Sequence, residues 1–383
     1  MGHDEFLARC TALVPQLAAH AAEGERLRRV PDAVVEAVRA ADLFAVVVPT
    51  SLGGHGLGLD AIAQGTRILA HGCPATAWTM SFLMLHGWLL SKFPRAACDE
   101  LFANGAVPLA SAPLAPTGQI TPADGGFVVR GRWEWATAVA HGDWVMVHAL
   151  QLEPAPTTVF AVLPRADVRV EDVWFTAGMR ATGSNVVHVD GVFVPAHRTI
   201  AARTLLDSVE SPDGDGLANV PVASVLSLVA SAPALGAAEA AVGLYRERLA
   251  QRVLAYSLGD RAAEQPAAQV RLATATSDLA AARCRWDAAI AAIAAAAAAG
   301  RPSDALRVDT RLAAAATVRA ARQIVTHVCD GAGASVYYEE HPLQRLQRDV
   351  ETLKGHVVFD WDRTAELAGR FALGFGLRPT DMV

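Results

Sequence analysis

Near the C-terminus, the stretch HPLQRLQRDVETLKGHVVFDWDRTAELAGR (341–370) spaces Arg348, Thr352, His356 and Asp360 four residues apart. On a helix that interval stacks side chains along one face. Leu346, Val350, Leu353, Val357 and Val358 recur at threes and fours and predict a second, apolar face of the same helix. An imidazole titrates near neutrality, so His356 suits proton transfer or a hydrogen bond to a developing anion, and Asp360 one turn on could fix its tautomer. The plainer reading is a solvent-facing pair worth about 0.2–0.5 kcal/mol.

His86 is the second imidazole of interest, set in the otherwise apolar run TMSFLMLHGWLL. Left unpaired there it would cost about 1–3 kcal/mol, so it requires a partner, whether backbone, water or ligand. Trp133, Trp135 and Thr137 follow one another in GRWEWATA. At alternating spacing Trp135 reads as core or as cover for a planar ligand, and Thr137 offers a hydroxyl beside it. Ser111 in SAPLAPTG and Ser184 in ATGS are further small hydroxyls. Arg345 and Arg348 can pair with Asp349 or Glu351, while Arg322 and the cluster Arg246, Arg248 and Arg252 are candidates for a phosphate. Glu339 and Glu340 stand just before HPLQR as candidate bases.

These residues need a framework, and the periodicity changes twice along the chain. Residues 1–107 read as a helical domain, with a second helix from Asp32, a glycine-bearing loop over 45–58, and a long helix opened by Pro74 and broken by Pro94. Over 108–205 the apolar residues alternate instead: GFVVRGRWEWA, WVMVHALQL and TTVFAVLP predict strands, and GSNVVHVDGVFVP predicts two more joined at Asp190-Gly191. Residues 206–383 return to helical spacing, after a polar connection at 207–217, as long Ala-rich helices from Pro221, Pro266 and Ser303. Alanine buries little area per residue, so such helices need close partners, within the chain or in a second copy.

Composition narrows the function. A net charge of −6 over 383 residues argues against polyanion binding, and the five scattered cysteines form no metal-ligand pair and read as reduced thiols. The start MGHDEFLARC lacks a secretory pattern, and apolar runs such as Ala288–Ala299 are too short or too Ala-rich for a membrane span, so a cytoplasmic protein is expected. GLGLD and GAGAS lack the spacing of a dinucleotide fingerprint.

Motifs and element order together resemble the acyl-CoA dehydrogenase-fold superfamily. GMRATGSNVVHVDGVFVPAHR (178–198) is similar to the segment that ends that family's β-domain, GRWEWATA (131–138) to its flavin-flanking strand, and VVVPTSLGGHGL (46–57) to its first loop. CDGAGASVYYEEHPLQRLQRDV (329–350) resembles its glycine-bearing turn and arginine-aspartate helix start. The resemblance implies an α+β, mainly α fold: an N-terminal helical domain, a central β-barrel-like domain and a C-terminal four-helix bundle. HPLQR and RDV followed by His356 look like the oxygenase components of two-component flavin monooxygenases, such as the hydroxyphenylacetate and dibenzothiophene enzymes.

That resemblance implies reduced FMN or FAD, not covalently bound, delivered by a separate NAD(P)H-dependent flavin reductase. It also implies O₂ as co-substrate through a flavin hydroperoxide, an apolar aromatic or polyketide-like substrate, and a homotetramer. Residues and resemblance together assign His356, His86, Thr137 and Asp360 to catalysis, and Trp135, Thr137, Ser111, Ser184, Arg348 and Arg322 to the flavin; for Arg348 the family's arginine-aspartate pair, commonly structural, favours a framework role over a phosphate one. The lining is expected from helix 78–90, loop 111–118 and helix 221–236, with Met80, Phe82, Met84 and Leu226. An acyl-CoA dehydrogenase using Glu339 or Glu340, an N-oxygenase, and a non-enzymatic protein of the same fold are the alternatives.

Overall fold

The computed structural model describes residues 1–103, 105–206, 216–378 and 380–383. Most of the 207–217 connection therefore lies outside the described residues. Among the described residues five helices come first: α1 (His3–Leu27), α2 (Asp32–Ala40), α3 (Leu59–Leu69), α4 (Pro74–Leu90) and α5 (Arg95–Leu101). Eight strands follow: β1 (Ala110–Ser111), β2 (Gly118–Ala123), β3 (Gly126–Ala136), β4 (Trp144–Gln151), β5 (Thr157–Pro164), β6 (Arg169–Glu171), β7 (Asn185–Pro195) and β8 (Thr199–Ala201). The chain ends in α6 (Ala202–Leu206), α7 (Val222–Gln251), α8 (Pro266–Ala298), α9 (Asp304–Ala332), α10 (Pro342–Leu353) and α11 (Trp361–Ala372).

All eight strands form one sheet in the order β6-β7-β3-β2-β4-β5-β8, with β1 pairing in parallel beside β4. Its core is a β-branched cluster around Trp133, whose indole Nε1 donates to the His148 carbonyl at 2.6 Å. Helices α7, α8 and α9 pack on one another, and α10 and α11 lie against α9. α4 is the element between the layers. It begins with Pro74 at a position where no amide is needed, and every residue in it but Phe82 is buried. Met80 and Met84 are fully buried, as is His86, whereas Phe82 and Leu226 stay partly open.

Three expectations need correction. The 341–370 stretch is not one helix: α10 stops at Leu353, a short 3-10 turn spans Val357–Phe359, and α11 restarts at Trp361. Gly355 weakens the helix there, and two side chains cap the turns that follow. His356 Nδ1 accepts from the Val358 N–H at 3.4 Å, and the Asp360 carboxylate accepts from the Arg363 N–H at 3.1 Å. The Arg348–Thr352–His356–Asp360 face does not exist, and Asp360 caps α11 instead of orienting His356.

Asp190-Gly191 is likewise no hairpin. β7 runs unbroken beside β3, and Gly191, at φ 78°, is the extra residue between the pairs Val129–Val192 and Arg130–Asp190. A glycine in the left-handed region absorbs such a bulge at no steric cost. The third correction concerns α7, which is long and apolar enough to cross a membrane by composition, although 83% of its most apolar window is buried inside the protein.

Candidate functional site

The two imidazoles picked out by sequence meet through aromatic rings. Trp78, Phe82 and His86 repeat every fourth residue of α4 and so stack on one face. Ring centroids lie 5.5 Å apart for His86–Phe82, 4.6 Å for Phe82–Trp78 and 5.3 Å for Trp78–His356, and Phe359 closes on His356 at 5.7 Å. The break after α10 is what allows His356 to turn in toward α4.

Their hydrogen bonds set opposite tautomers. His86 Nδ1 lies 2.7 Å from the Ala110 carbonyl, which only accepts, so Nδ1 carries the proton and Nε2 keeps its lone pair. His356 Nδ1 accepts a backbone N–H, so its proton sits on Nε2. Burial pushes both rings down to about 4, with the nearby Arg311 charge adding to the effect on His356, so both are neutral at pH 7. The site thus offers one neutral acceptor and one neutral donor. His86 Nε2 is buried without a partner among the described residues, and so is the hydroxyl of Ser111, next to the carbonyl that holds His86.

A stability consequence follows from the same burial. His86, His141 and His356 are each pushed down to about 4, whereas an unfolded histidine titrates near 6.5. Between those values the unfolded chain binds more protons, so stability is lost as pH falls through that window, by up to about 1.4 kcal/mol per pH unit for each ring. Urea midpoints at pH 4.5, 5.5 and 7 should fall steeply toward acid, and less steeply in His86→Asn. A midpoint flat across that range would contradict neutral burial of these rings.

A second set of polar groups lies where β3 ends. Trp133 is core, but a bulge between Trp133 and Ala136 puts Trp135 at φ 60° and leaves it 63% exposed. The bulge reverses the alternation that suggested a core position, and an exposed indole here is available to cover a ligand or a neighbouring subunit. Thr137 is buried, with its hydroxyl 2.8 Å from that of Ser184. Ser184 lies 2.9 Å from Thr182 Oγ1, which donates to the Met179 carbonyl at 2.9 Å. The turn carrying Thr182 packs against α4, which brings this chain of hydroxyls to the helix that bears His86. Sequence reading missed Thr182 and the stacking role of Trp78. The four-residue spacing of Trp78, Phe82 and His86 was the signal available for the second.

The basic candidates divide. Arg348 donates to Glu25 at 2.5 Å, to Gln344 at 2.7 Å and to the Ala177 carbonyl at 2.7 Å, and Arg345 pairs with Glu25 at 3.0 Å. Arg348 therefore clamps α10 to α1 and to the loop before β7, a framework role in place of the flavin-binding one also considered for it. Beside it, Asp349 is fully buried. Burial pushes its carboxyl up to about 7, and Oδ1 accepts the Met179 N–H at 2.5 Å. Asp349→Ala leaves that N–H unpaired in the interior and should cost about 1–3 kcal/mol, measured by urea unfolding.

Arg322 bonds Glu351 at 2.6 Å and lines an open cleft of about 500 Å³ with Arg319, Lys354, Phe359 and Trp361. Arg248 and Arg252 both donate to the Ala332 carbonyl, whereas Arg246 is exposed. Glu339 and Glu340 are exposed on the surface, which is a poor setting for abstracting a carbon-bound proton.

A family model described as acyl-CoA dehydrogenase, N-terminal domain, matches residues 3–102, and one described as acyl-CoA dehydrogenase, C-terminal domain, matches 228–361. The flavin-dependent monooxygenase oxygenase subunit HsaA of Rhodococcus jostii (strain RHA1) is 30% identical, with 98% of this chain and 99% of that protein aligned. The oxygenase component of p-hydroxyphenylacetate 3-hydroxylase from Acinetobacter baumannii is 27% identical over 98% and 90% of the two chains. XiaF from Streptomyces sp., solved in complex with FADH2 and glycerol, superposes with a TM-score of 0.93 at 29% identity, over 99% of this chain and 97% of its own.

Proposed function

Because the chain belongs to the flavin-dependent monooxygenase oxygenase components built on the acyl-CoA dehydrogenase fold, we propose that it hydroxylates a phenol held between His86 and His356. Reduced flavin, when bound, supplies two electrons and activates O₂, placing one oxygen atom on the substrate and the other in water. The polar groups suit two bound rings: an unpartnered acceptor at His86 Nε2, an unpartnered hydroxyl at Ser111, the Thr137 hydroxyl backed by Ser184, and an exposed Trp135. Thr137, Ser111 and Trp135 are assigned to the flavin, with Ser184 behind Thr137, and Arg322 and its neighbours in the cleft to the phosphate end.

The observation that carries the reading is the His86 tautomer. A lone pair held in an apolar wall accepts one proton donor, and a phenolic O–H is the donor that leaves the rest of an aromatic ring against Phe82 and Trp78. Accepting a hydrogen bond from that O–H raises electron density in the ring without taking the proton away, and electron density is what oxygen transfer to carbon requires. His356 Nε2–H donates where negative charge gathers on oxygen, and the aromatic wall keeps water away. The test compares a phenol with its methyl ether, with reduced FMN or FAD supplied under O₂. The phenol should be hydroxylated and the ether should not, and equal turnover of both would remove His86 from this role.

Reduction of the flavin is assigned to a separate NAD(P)H-dependent reductase, in keeping with the lack of a dinucleotide fingerprint in the sequence. A homotetramer in the cytoplasm completes the reading. α8 buries only Ala275, Ala282, Trp286, Ile290, Ile293 and Ala297, so most of a 33-residue, Ala-rich helix faces outward in the single chain. Sedimentation at micromolar protein should show a tetramer, and a strictly monomeric species would refute it.

A further inference from the structure

The row of hydroxyls from Thr137 through Ser184 to Thr182 ends on a backbone carbonyl, and that end gives the row a direction. The Met179 carbonyl collects three donors: the Trp174 indole at 3.1 Å, the Thr182 amide at 3.1 Å and the Thr182 hydroxyl at 2.9 Å. A carbonyl can only accept, so the single hydroxyl proton of Thr182 points to Met179. Thr182 must then accept from Ser184, and Ser184, its one proton used, must accept from Thr137. Running the row the other way would set two buried oxygens 2.9 Å apart with no proton between them.

The anchor itself is fixed at both ends of its residue. Met179 adopts φ 53°, its N–H is held by the buried Asp349, and a side chain at Gly178 would collide with the Arg348 carbonyl 2.0 Å away, so the loop is seated hard on α10.

We infer that Thr182 and Ser184 act as positioning residues that leave Thr137 Oγ1 able only to accept a hydrogen bond, so that the site selects flavin carrying a proton on N5. This rests on the reading that Thr137 borders the flavin ring. Reduced flavin has an N5–H, which an acceptor welcomes. Oxidised flavin presents a lone pair at N5, which an acceptor-only hydroxyl repels. The chain thereby discriminates between the redox states of its cofactor and releases the oxidised form for renewed reduction, through a device formed by two side chains that need not touch the flavin.

The experiment measures dissociation constants for oxidised and for reduced flavin, the latter anaerobically, in the wild type and in Ser184→Ala, Thr182→Val and Thr137→Val, with melting temperature and sedimentation confirming the fold. In Ser184→Ala the Thr137 hydroxyl is free to turn and donate. In Thr182→Val the Ser184 proton is free to turn toward Thr137 and reverse the row. In both, preference for the reduced form should drop about ten-fold, chiefly through tighter binding of the oxidised form. Thr137→Val should weaken binding of reduced flavin. Unchanged preference in the first two variants, with Thr137→Val still weakening reduced flavin, would overturn the directional row while leaving Thr137 beside the ring. Unchanged constants in Thr137→Val would overturn the placement of Thr137 itself and the selectivity with it.

Discussion

His86→Ala should lower kcat/KM for a phenol by about ten- to a hundred-fold, the worth of one hydrogen bond that strengthens as charge develops on the phenolic oxygen. The same change should leave binding of reduced flavin nearly untouched, because the lost group is assigned to the substrate. A truncation here also strips the Ala110 carbonyl of its donor in the interior, so the variant needs a folded control. His86→Asn provides it: the amide nitrogen can occupy the Nδ1 position and keep the Ala110 bond, while nothing stands at Nε2. His86→Gln does the reverse and sets an amide group near Nε2. If Asn is as damaging as Ala in a well-folded protein and Gln recovers part of the rate, the acceptor at Nε2 is what matters. If Asn turns over at the wild-type rate, His86 is a core histidine and the substrate O–H bonds elsewhere. Since the ring is pushed down to about 4, its acceptor form is already complete at pH 6, so the imidazole adds no ionisation to the rate profile between pH 6 and 8.

The fold was largely legible because each layer carries its own period. Helical spacing to Pro94, alternation from GFVVRGRWEWA to TTVFAVLP, and helical spacing again from Pro221 are local properties that burial imposes on neighbouring residues. What failed was also local, but decided by competition. Asp190-Gly191 carries the dipeptide of a hairpin turn, yet β3 is eleven residues long, and pairing along its whole length outweighs a two-residue preference. The 341–370 stretch keeps its apolar spacing across Gly355, and only the capping by His356 and Asp360 shows that the helix has ended.

Candidate site residues were found by type, whereas their chemistry was not legible at all. Nothing in TMSFLMLHGWLL states that Nδ1 of His86 meets a carbonyl twenty-four residues on, and that contact alone turns the ring into an acceptor. Likewise RD at 348–349 admits a phosphate ligand or a clamp equally well until Glu25, more than three hundred residues earlier, is placed against it. The hydroxyls of Thr137 and Ser184 could be listed as polar neighbours of a ring, but the direction of their protons depends on Thr182 and on a carbonyl that no motif singles out.

His356→Ala should shift the ratio of hydroxylated product to H₂O₂ by about ten- to a hundred-fold toward H₂O₂. The ring is neutral, with its proton fixed on Nε2 by the Val358 amide, so it contributes one directed hydrogen bond that strengthens as negative charge develops on oxygen. A hydrogen bond to a charged group is worth about 1.5–3 kcal/mol, which is the factor stated. Overall turnover of reduced flavin should change little, since the electrons still reach O₂; what changes is where the oxygen goes. Truncation removes the ring from between Trp78 and Phe359 and admits water, so His356→Gln separates the two causes. Its amide nitrogen can stand in for Nε2–H while the side chain keeps most of the volume, and coupling should then recover by several-fold. Asp360→Asn is the matching negative control: its partner is the Arg363 amide at the start of α11, so it should alter stability slightly and coupling not at all. A wild-type product ratio in folded His356→Ala would remove the residue from the site, and a loss of coupling in Asp360→Asn equal to that in His356→Ala would show that the position of α11, and not the imidazole proton, governs the outcome.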